Sequence, residues 1–170
     1  ALELMPGNKI RKYDTWHAMG QGATTGSLVV TLEALKEMHL TPEDIQLIQN
    51  DTKTCPDTGM AGASRSLYMD GNATIIAANK LLAAMRKEDG TLRTYDEMKA
   101  EGIETKYLGR YETNTTPGLC RLDPNTGIGD PTPAFTYCLN LAEVEVDTKT
   151  GKTTVLKFTC VDFVGRIGNI

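Results

Sequence analysis

Close cysteine pairs are missing from this chain. Its four cysteines, Cys55, Cys120, Cys138 and Cys160, stand 65, 18 and 22 residues apart, with no C-x-x-C anywhere. A structural zinc or iron–sulfur site normally uses at least one close pair, so no metal site built from these thiols is expected. Reduced, partly buried thiols fit better, with Cys138 and Cys160 in strand-like core segments. Histidine is scarce as well. His17 and His39 are the only two, too few to argue a Ser-His-Asp or Cys-His arrangement. The carboxylates are scattered over polar faces, and no pair stands out as an acid–base couple. Apolar runs fall far short of the ~18 residues a membrane span needs, and the N-terminus has no signal-peptide pattern. Basic runs are absent too, and the formal net charge is −4, which argues against nucleic acid as a partner. Together these absences lead us to expect a cytoplasmic protein with no membrane contact.

What remains is an ordinary globular composition. The 170 residues are 40% hydrophobic, enough for one core, so residues 1–170 are expected to form a single domain. The chain starts at Ala1 without an initiator Met, which suits a fragment of a larger subunit. Asn8–Trp16 reads as a strand leading into a turn at Gly20–Gly26. Thr24 or Thr25 can cap a helix over Ser27–Met38, with Leu28, Leu32 and Leu35 on one face. Thr41-Pro42-Glu43-Asp44 carries a capping Thr, a Pro at the first helical position and an acid three residues on, and predicts a single turn before a buried strand at Ile45–Ile48.

A second helix is predicted over Ala63–Lys87, its stripe formed by Leu67, Gly71, Ile75, Ala78, Leu82 and Met85. Gly71 is expected to serve close packing against a neighbouring element. Glu88–Pro133 is polar and rich in Gly, Pro and Thr, with one short helix near Tyr95–Glu101; it reads as a functional loop or a surface for a partner. Ala134–Asp147 and Lys152–Val164 are strands of a hairpin, with Gly151 placed for positive φ in its loop. The order is β-α-β-α, a long loop, then a β-hairpin. This predicts an α+β, two-layer domain with two helices packed on one face of a mixed β-sheet.

The densest signal is Thr54–Ala73, TCPDTGMAGASRSLYMDGNA. Gly59–Ser66 is dominated by Gly, Ala and Ser and runs directly into the second helix. Small residues let backbone approach a ligand, and a helix start points N–H groups at it, an arrangement suited to phosphate. Gly62-Ala63-Ser64-Arg65-Ser66 has no acidic residue, which leaves the positive end of the helix for an external anion. Ser64 and Ser66 add hydroxyls and Arg65 a cation. Met19-Gly20-Gln21-Gly22 is a second small, flexible segment, and the amide of Gln21 both donates and accepts. Its glycine spacing is not the dinucleotide-binding G-x-G-x-x-G, and a Rossmann site is set aside. His17 reads as a surface or half-buried residue, and His39 as a cation near a helix C-terminus.

These pieces, in this order, resemble the molybdenum hydroxylases, the group of xanthine dehydrogenase, aldehyde oxidoreductase and nicotinate dehydrogenase. The resemblance runs from about Lys9 to Asn169 and rests on M-G-Q-G at Met19–Gly22, G-A-S-R-S-x-x-x-x-G-N-A at Gly62–Ala73 and V-E-V-D-x-x-T-G at Val144–Gly151. It implies part of a molybdopterin-binding subunit. Met19, Gly20, Gln21 and Gly22 would approach the cofactor. Ala61, Gly62, Ala63, Ser64, Arg65 and Ser66 would wrap the pterin and its phosphate. Bacterial members usually carry molybdopterin as its cytosine dinucleotide. The family hydroxylates a carbon centre of a small-molecule substrate with water as oxygen source and passes electrons to iron–sulfur clusters and often a flavin, so the implied partners are the remaining subunit domains with iron–sulfur and FAD subunits.

The chain departs from the family pattern at several points. The family's catalytic glutamate lies in Gly-x-Gly-Glu beyond the Val164-Gly165-Arg166 segment, and the sequence given ends at Ile170. No catalytic residue and no protein metal ligand is therefore assigned within it. The isolated chain is expected to be inactive and to lose the cofactor. Trp16 and His17 stand where many members have smaller residues or Thr, and Phe163 occupies a position often acidic, with Asp162 one residue earlier. A second class of function remains open at this point: a non-catalytic binding or assembly module, with a phosphate-type ligand or a partner docked on the 88–133 loop.

Overall fold

The computed structural model describes residues 1–49, 51–59, 61–62, 64–112, 122–129 and 135–165. Ala63, Cys120 and Arg166 lie outside the described residues. The chain divides into two compact units, the first Ala1–Glu112 and the second within Thr113–Gly168.

The first unit is built on a mixed sheet. Strands β1 (Leu2–Met5), β2 (Lys9–Asp14), β3 (Ile45–Gln49) and β4 (Lys106–Tyr107) lie in the order β3-β2-β1-β4. β1 pairs antiparallel with β2 and β4, and β2 pairs parallel with β3. The β1–β2 turn at Pro6–Asn8 places Gly7 at φ 74 and Asn8 at φ 58, a left-handed pair that Gly and Asn adopt most readily. Helix α1 (Ala23–Ala34) connects β2 to β3, and α2 (Ser66–Met85) and α3 (Tyr95–Ala100) follow. Side chains alternate along a strand, so Ile10, Lys12 and Asp14 share one face of β2. Lys12 reaches Asp70 of α2, and Ser27 of α1 reaches Asp14. Both helices therefore cover that one face, as the sequence predicts. The core beneath them is Leu2, Leu4, Ile10, Leu35, Ile45, Ala77, Ala78, Leu81, Leu82, Met85 and Met98.

α1 and α2 run in the same direction. A Cβ on Gly26 would lie 3.0 Å from Leu67, and one on Gly71 would lie 3.7 Å from Val30. Both contacts keep the same sequence offset, one helical turn apart, which requires parallel helices with their N-termini together. Gly71 thus packs on α1, although an added methyl would make only ordinary contact there.

Several boundaries differ from the sequence reading. α1 starts at Ala23 and is capped by Gly22 in the left-handed conformation (φ 78), so Thr24 and Thr25 lie inside it rather than capping it. It ends at Ala34, and Lys36–Met38 form a separate 3₁₀ turn. The turn at Pro42–Asp44 has the expected reciprocal bonding between Thr41 and Asp44. α2 starts at Ser66, three residues later than expected, and ends at Met85. Its buried face is Asp70, Gly71, Thr74, Ala77, Ala78, Leu81, Leu82 and Met85. Leu67 and Ile75, expected on that face, are 56% and 45% exposed. The inward positions include Asp70, which accepts from buried Lys12, and the apolar run Ala77, Ala78, Leu81, Leu82 and Met85. β1 and β4 lie outside the predicted element set. Gly109, beside β4, lies so close to α2 that a Cβ would fall 1.8 Å from the Ala73 carbonyl oxygen.

The second unit is a β-hairpin, β5 (Tyr137–Val146) and β6 (Thr153–Phe163), paired antiparallel with a bulge at Glu143/Val144. Gly151 has φ 73 in the loop, as expected. Cys138 and Cys160, predicted as core thiols, are exposed. A two-stranded ribbon cannot enclose either of its own faces. Among the described residues no helix is long and apolar enough to cross a membrane.

Candidate functional site

The parallel packing of α1 and α2 sets two helix starts side by side. In α1 the hydrogen-bond ladder opens with the Gly26 N–H on the Gly22 carbonyl (2.9 Å), so the N–H groups of Ala23, Thr24 and Thr25 lie ahead of it. In α2 the first such bond among the described residues is the Met69 N–H on the Arg65 carbonyl (2.9 Å), with the N–H groups of Ser66, Leu67 and Tyr68 in the turn ahead of it. Neither helix has a side-chain cap or an acidic residue in its first turn. Each start carries roughly half a positive charge, and two parallel starts add their fields. The arrangement attracts an anion and supplies N–H donors to hold it.

The two predicted segments flank these starts. Met19 is exposed, and Gly20 (φ 112) and Gly22 (φ 78) both hold positive φ with open space where a Cβ would point. Gln21 is exposed and closes its own loop: its carbonyl oxygen accepts the Met19 N–H at 2.5 Å, and its amide donates to the His17 carbonyl at 3.4 Å. His17 itself is exposed, as expected. Ala61 and Gly62 are half-buried. The Arg65 N–H bonds the Gly62 carbonyl at 3.3 Å, so this stretch forms a turn before α2 rather than its first residues. Ser64 is exposed with φ 53, a left-handed conformation uncommon for serine. Strain of this kind gathers where a chain is held against a ligand. Ser66 is the first residue of α2.

The segments are joined through their flanks. The Arg65 guanidinium lies 5.9 Å from the ring centre of buried Trp16, within cation–π range. The Thr15 hydroxyl donates to the Pro56 carbonyl at 3.3 Å and bonds the Thr58 hydroxyl. Leu67 rests on Gly26. Trp16 is thus the platform for Arg65. Tyr68, at the third position of α2, bonds the Tyr111 hydroxyl at 2.8 Å, which raises its pKa. In the loop before Ser64, Asp51 accepts from the Thr54 hydroxyl and the Lys53 N–H, and these bonds lower its pKa.

Sequence reasoning missed two contributors. The donors of Leu67 and Tyr68 were hidden by placing the helix start at Ala63. Buried Lys12, Asp14, Ser27 and Asp70, with half-buried Gln49, tie the strands to both helices, and were missed because Lys12 reads as a surface residue. The available signal was an ionisable residue at every even position after Ile10 in a strand that must face helices. Among the described residues no three His, Cys, Asp or Glu side chains come together as metal ligands.

The family model for the molybdopterin cofactor-binding domain matches residues 2–170. The chain is 38% identical over 167 residues to an aldehyde oxidoreductase of Megalodesulfovibrio gigas, covering 98% of this chain and 18% of that protein. It is 26% identical over 152 residues to a xanthine dehydrogenase of Dictyostelium discoideum, covering 86% of this chain and 11% of that one. The crystal structure of the aldehyde oxidoreductase from Desulfovibrio desulfuricans matches with a TM-score of 0.91 at 41% identity, over 99% of this chain and 18% of that one. The chain therefore spans about a fifth of the length of the aldehyde oxidoreductases it matches. With nearly every residue matched in both sequence and fold, the chain belongs to the molybdopterin cofactor-binding domain family of the molybdenum hydroxylases.

Proposed function

We propose that this chain forms one wall of the molybdopterin site in an oxidoreductase that hydroxylates a carbon centre of an aldehyde or N-heterocycle, with water as the oxygen source. The observation that carries the reading is the pair of parallel helix starts, uncapped by side chains and without acids, in a chain of this family. The residues present fit the group. Molybdopterin is a phosphorylated ring system, and this end of the unit offers N–H groups, hydroxyls and a guanidinium with no carboxylate in either first turn.

The cofactor, in the cytosine dinucleotide form, would supply the redox chemistry and activate the oxygen. This chain's residues bind and orient it. The N–H groups at 66–68, with the Ser64 and Ser66 hydroxyls, hold the pterin phosphate. Ala61 and Gly62 let the backbone come close, and Arg65, steadied on Trp16, adds positive charge. Ala63, between them, belongs to the same stretch. On the other side the Met19–Gly22 loop approaches the metal end, and the exposed Gln21 amide hydrogen-bonds the cofactor. Gly20 and Gly22 keep that approach free of side chains. The catalytic base, the substrate pocket and the iron–sulfur and flavin centres belong to other domains of the assembly, which we place in the cytoplasm.

Replacing Ser64 and Ser66 by Ala in the full-length enzyme tests this. Hydrogen bonds to a charged group contribute about 1.5–3 kcal/mol each, so the double variant should lose most of its molybdenum and pterin while still folding. Unchanged molybdenum per protomer contradicts the reading.

A further inference from the structure

A buried ionic cluster lies beneath the two helix starts. Lys12 is 1% exposed, Asp14 2% and Asp70 6%. The Lys12 ammonium donates to Asp70 Oδ2 at 2.6 Å and lies 3.7 Å from Asp14 Oδ2. Asp14 also accepts from the Ser27 hydroxyl (2.7 Å) and the Gln49 amide (2.9 Å), and Asp70 from the Thr74 hydroxyl (3.4 Å). Gln49 continues the network: its carbonyl oxygen accepts from the Thr24 hydroxyl at 3.2 Å, and its amide reaches the Trp16 carbonyl at 3.3 Å.

Traced through, these bonds form a closed circuit. From α2 at Asp70 they pass through Lys12 and Asp14 of β2 to Gln49 of β3. From Gln49 they reach Thr24 in the first turn of α1 and Trp16 at the root of the Met19–Gly22 loop. The Trp16 ring returns to Arg65, the residue that caps α2. Every segment assigned to the cofactor is anchored on this circuit. Buried ion pairs are weak sources of stability, since apolar residues of the same volume do as well or better; their best-attested role is to fix one register among several. Three Leu-sized side chains would pack this interface, but they would not fix how α1 is set against α2.

We propose that Lys12, Asp14 and Asp70 are positioning residues for molybdopterin: they hold the two helix starts and the Trp16 loop in the mutual register that the cofactor requires. The inference rests on the cofactor reading above. The three residues touch no cofactor atom and act through the backbone they align.

The test uses the full-length enzyme and reads molybdenum and pterin per folded protomer, together with the rate of pterin release. The variant Lys12→Met/Asp14→Asn/Asp70→Asn keeps the volume and removes the charges. Leu82→Ala, in the core at the far end of α2, is the control for simple loss of stability. The account expects the ionic variant to unfold at a midpoint close to the parent's yet release pterin roughly tenfold faster, the scale on which supporting residues act at cofactor sites. Leu82→Ala should unfold earlier and keep its cofactor while folded. Asp70→Asn alone, with the shape of the parent, replaces the triple variant if that one does not fold, and should show the same excess release over Leu82→Ala. Release that follows the unfolding midpoint alike in all variants overturns the inference. Ser64→Ala/Ser66→Ala in parallel separates the two levels: if that pair also leaves occupancy unchanged, the cofactor reading itself falls, and if it alone loses cofactor, only the positioning role falls.

Discussion

Two glycines, Gly109 packed against α2 and Gly71 within it, should respond to alanine with opposite signs. A Cβ at Gly109 would sit 1.8 Å from the Ala73 carbonyl oxygen and 2.7 Å from the Ala77 nitrogen. Both are backbone atoms in the middle of α2, and neither can rotate away. Gly109→Ala must therefore push the chain off the helix, breaking local contacts such as the 2.9 Å bond from Lys80 to the Leu108 carbonyl. Overpacking of this kind costs about 1–3 kcal/mol, occasionally more. At Gly71 the added methyl would lie 3.7 Å from Val30, an ordinary contact, and a glycine inside a helix is worse than alanine by about 1 kcal/mol. Gly71→Ala should thus stabilise by up to about 1 kcal/mol. Urea unfolding followed by helical circular dichroism measures both, and each kcal/mol shifts the thermal midpoint by about 2–4 °C in a chain of this size. Gly109→Ala within about 0.5 kcal/mol of the parent, or Gly71→Ala clearly destabilised, would refute the packing described for α2.

The cap of α3 supplies the remaining predictions. Glu97 bonds Lys87 at 2.5 Å and the Thr94 N–H at 2.8 Å, and these contacts hold its carboxyl down to about 2 from an ordinary 4.5. Its contribution is complete above pH 4.5 and is lost as pH falls from there through about 2. Glu97→Gln should therefore lower stability at neutral pH and flatten that limb of a stability-versus-pH curve, the two proteins converging as pH approaches about 2; an unchanged acid limb argues against the assignment. Thr94 caps the same helix by accepting the Glu97 N–H, so Thr94→Ala should cost about 1 kcal/mol at neutral pH in urea unfolding.

Local chemistry made much of this molecule legible. The hairpin follows from the alternation around Val144 and Val146 with Gly151 in the loop, and the Pro42 turn from its capping pattern. The small-residue run before Ser66 marked a helix start correctly in kind, although three residues early, because Ala63 and Ser64 read as helix formers while the chain takes a left-handed step at Ser64. β1 and β4 escaped because four- and two-residue strands carry too little pattern of their own; they are strands because β2 and β1 supply their partners. The 3.6-residue period placed Gly71, Ala78, Leu82 and Met85 inward correctly, but Leu67 and Ile75 lie at its edge, because the buried face also takes in Asp70 and Thr74, which local hydrophobicity does not mark. The parallel setting of α1 against α2, on which the site depends, is a tertiary fact that no local window contains.

The central claim is that the start of α2 receives a phosphate. Ser66→Asp in the full-length enzyme addresses it most directly, because helix and ligand respond in opposite directions. An acid in the first turn favours the helix by about 0.3–1 kcal/mol, so the cofactor-free protein should be as stable as the parent or slightly more so. The same carboxylate would repel a bound phosphate, so molybdenum and pterin per protomer should fall sharply. Full occupancy in a protein carrying Asp at position 66 would contradict the account.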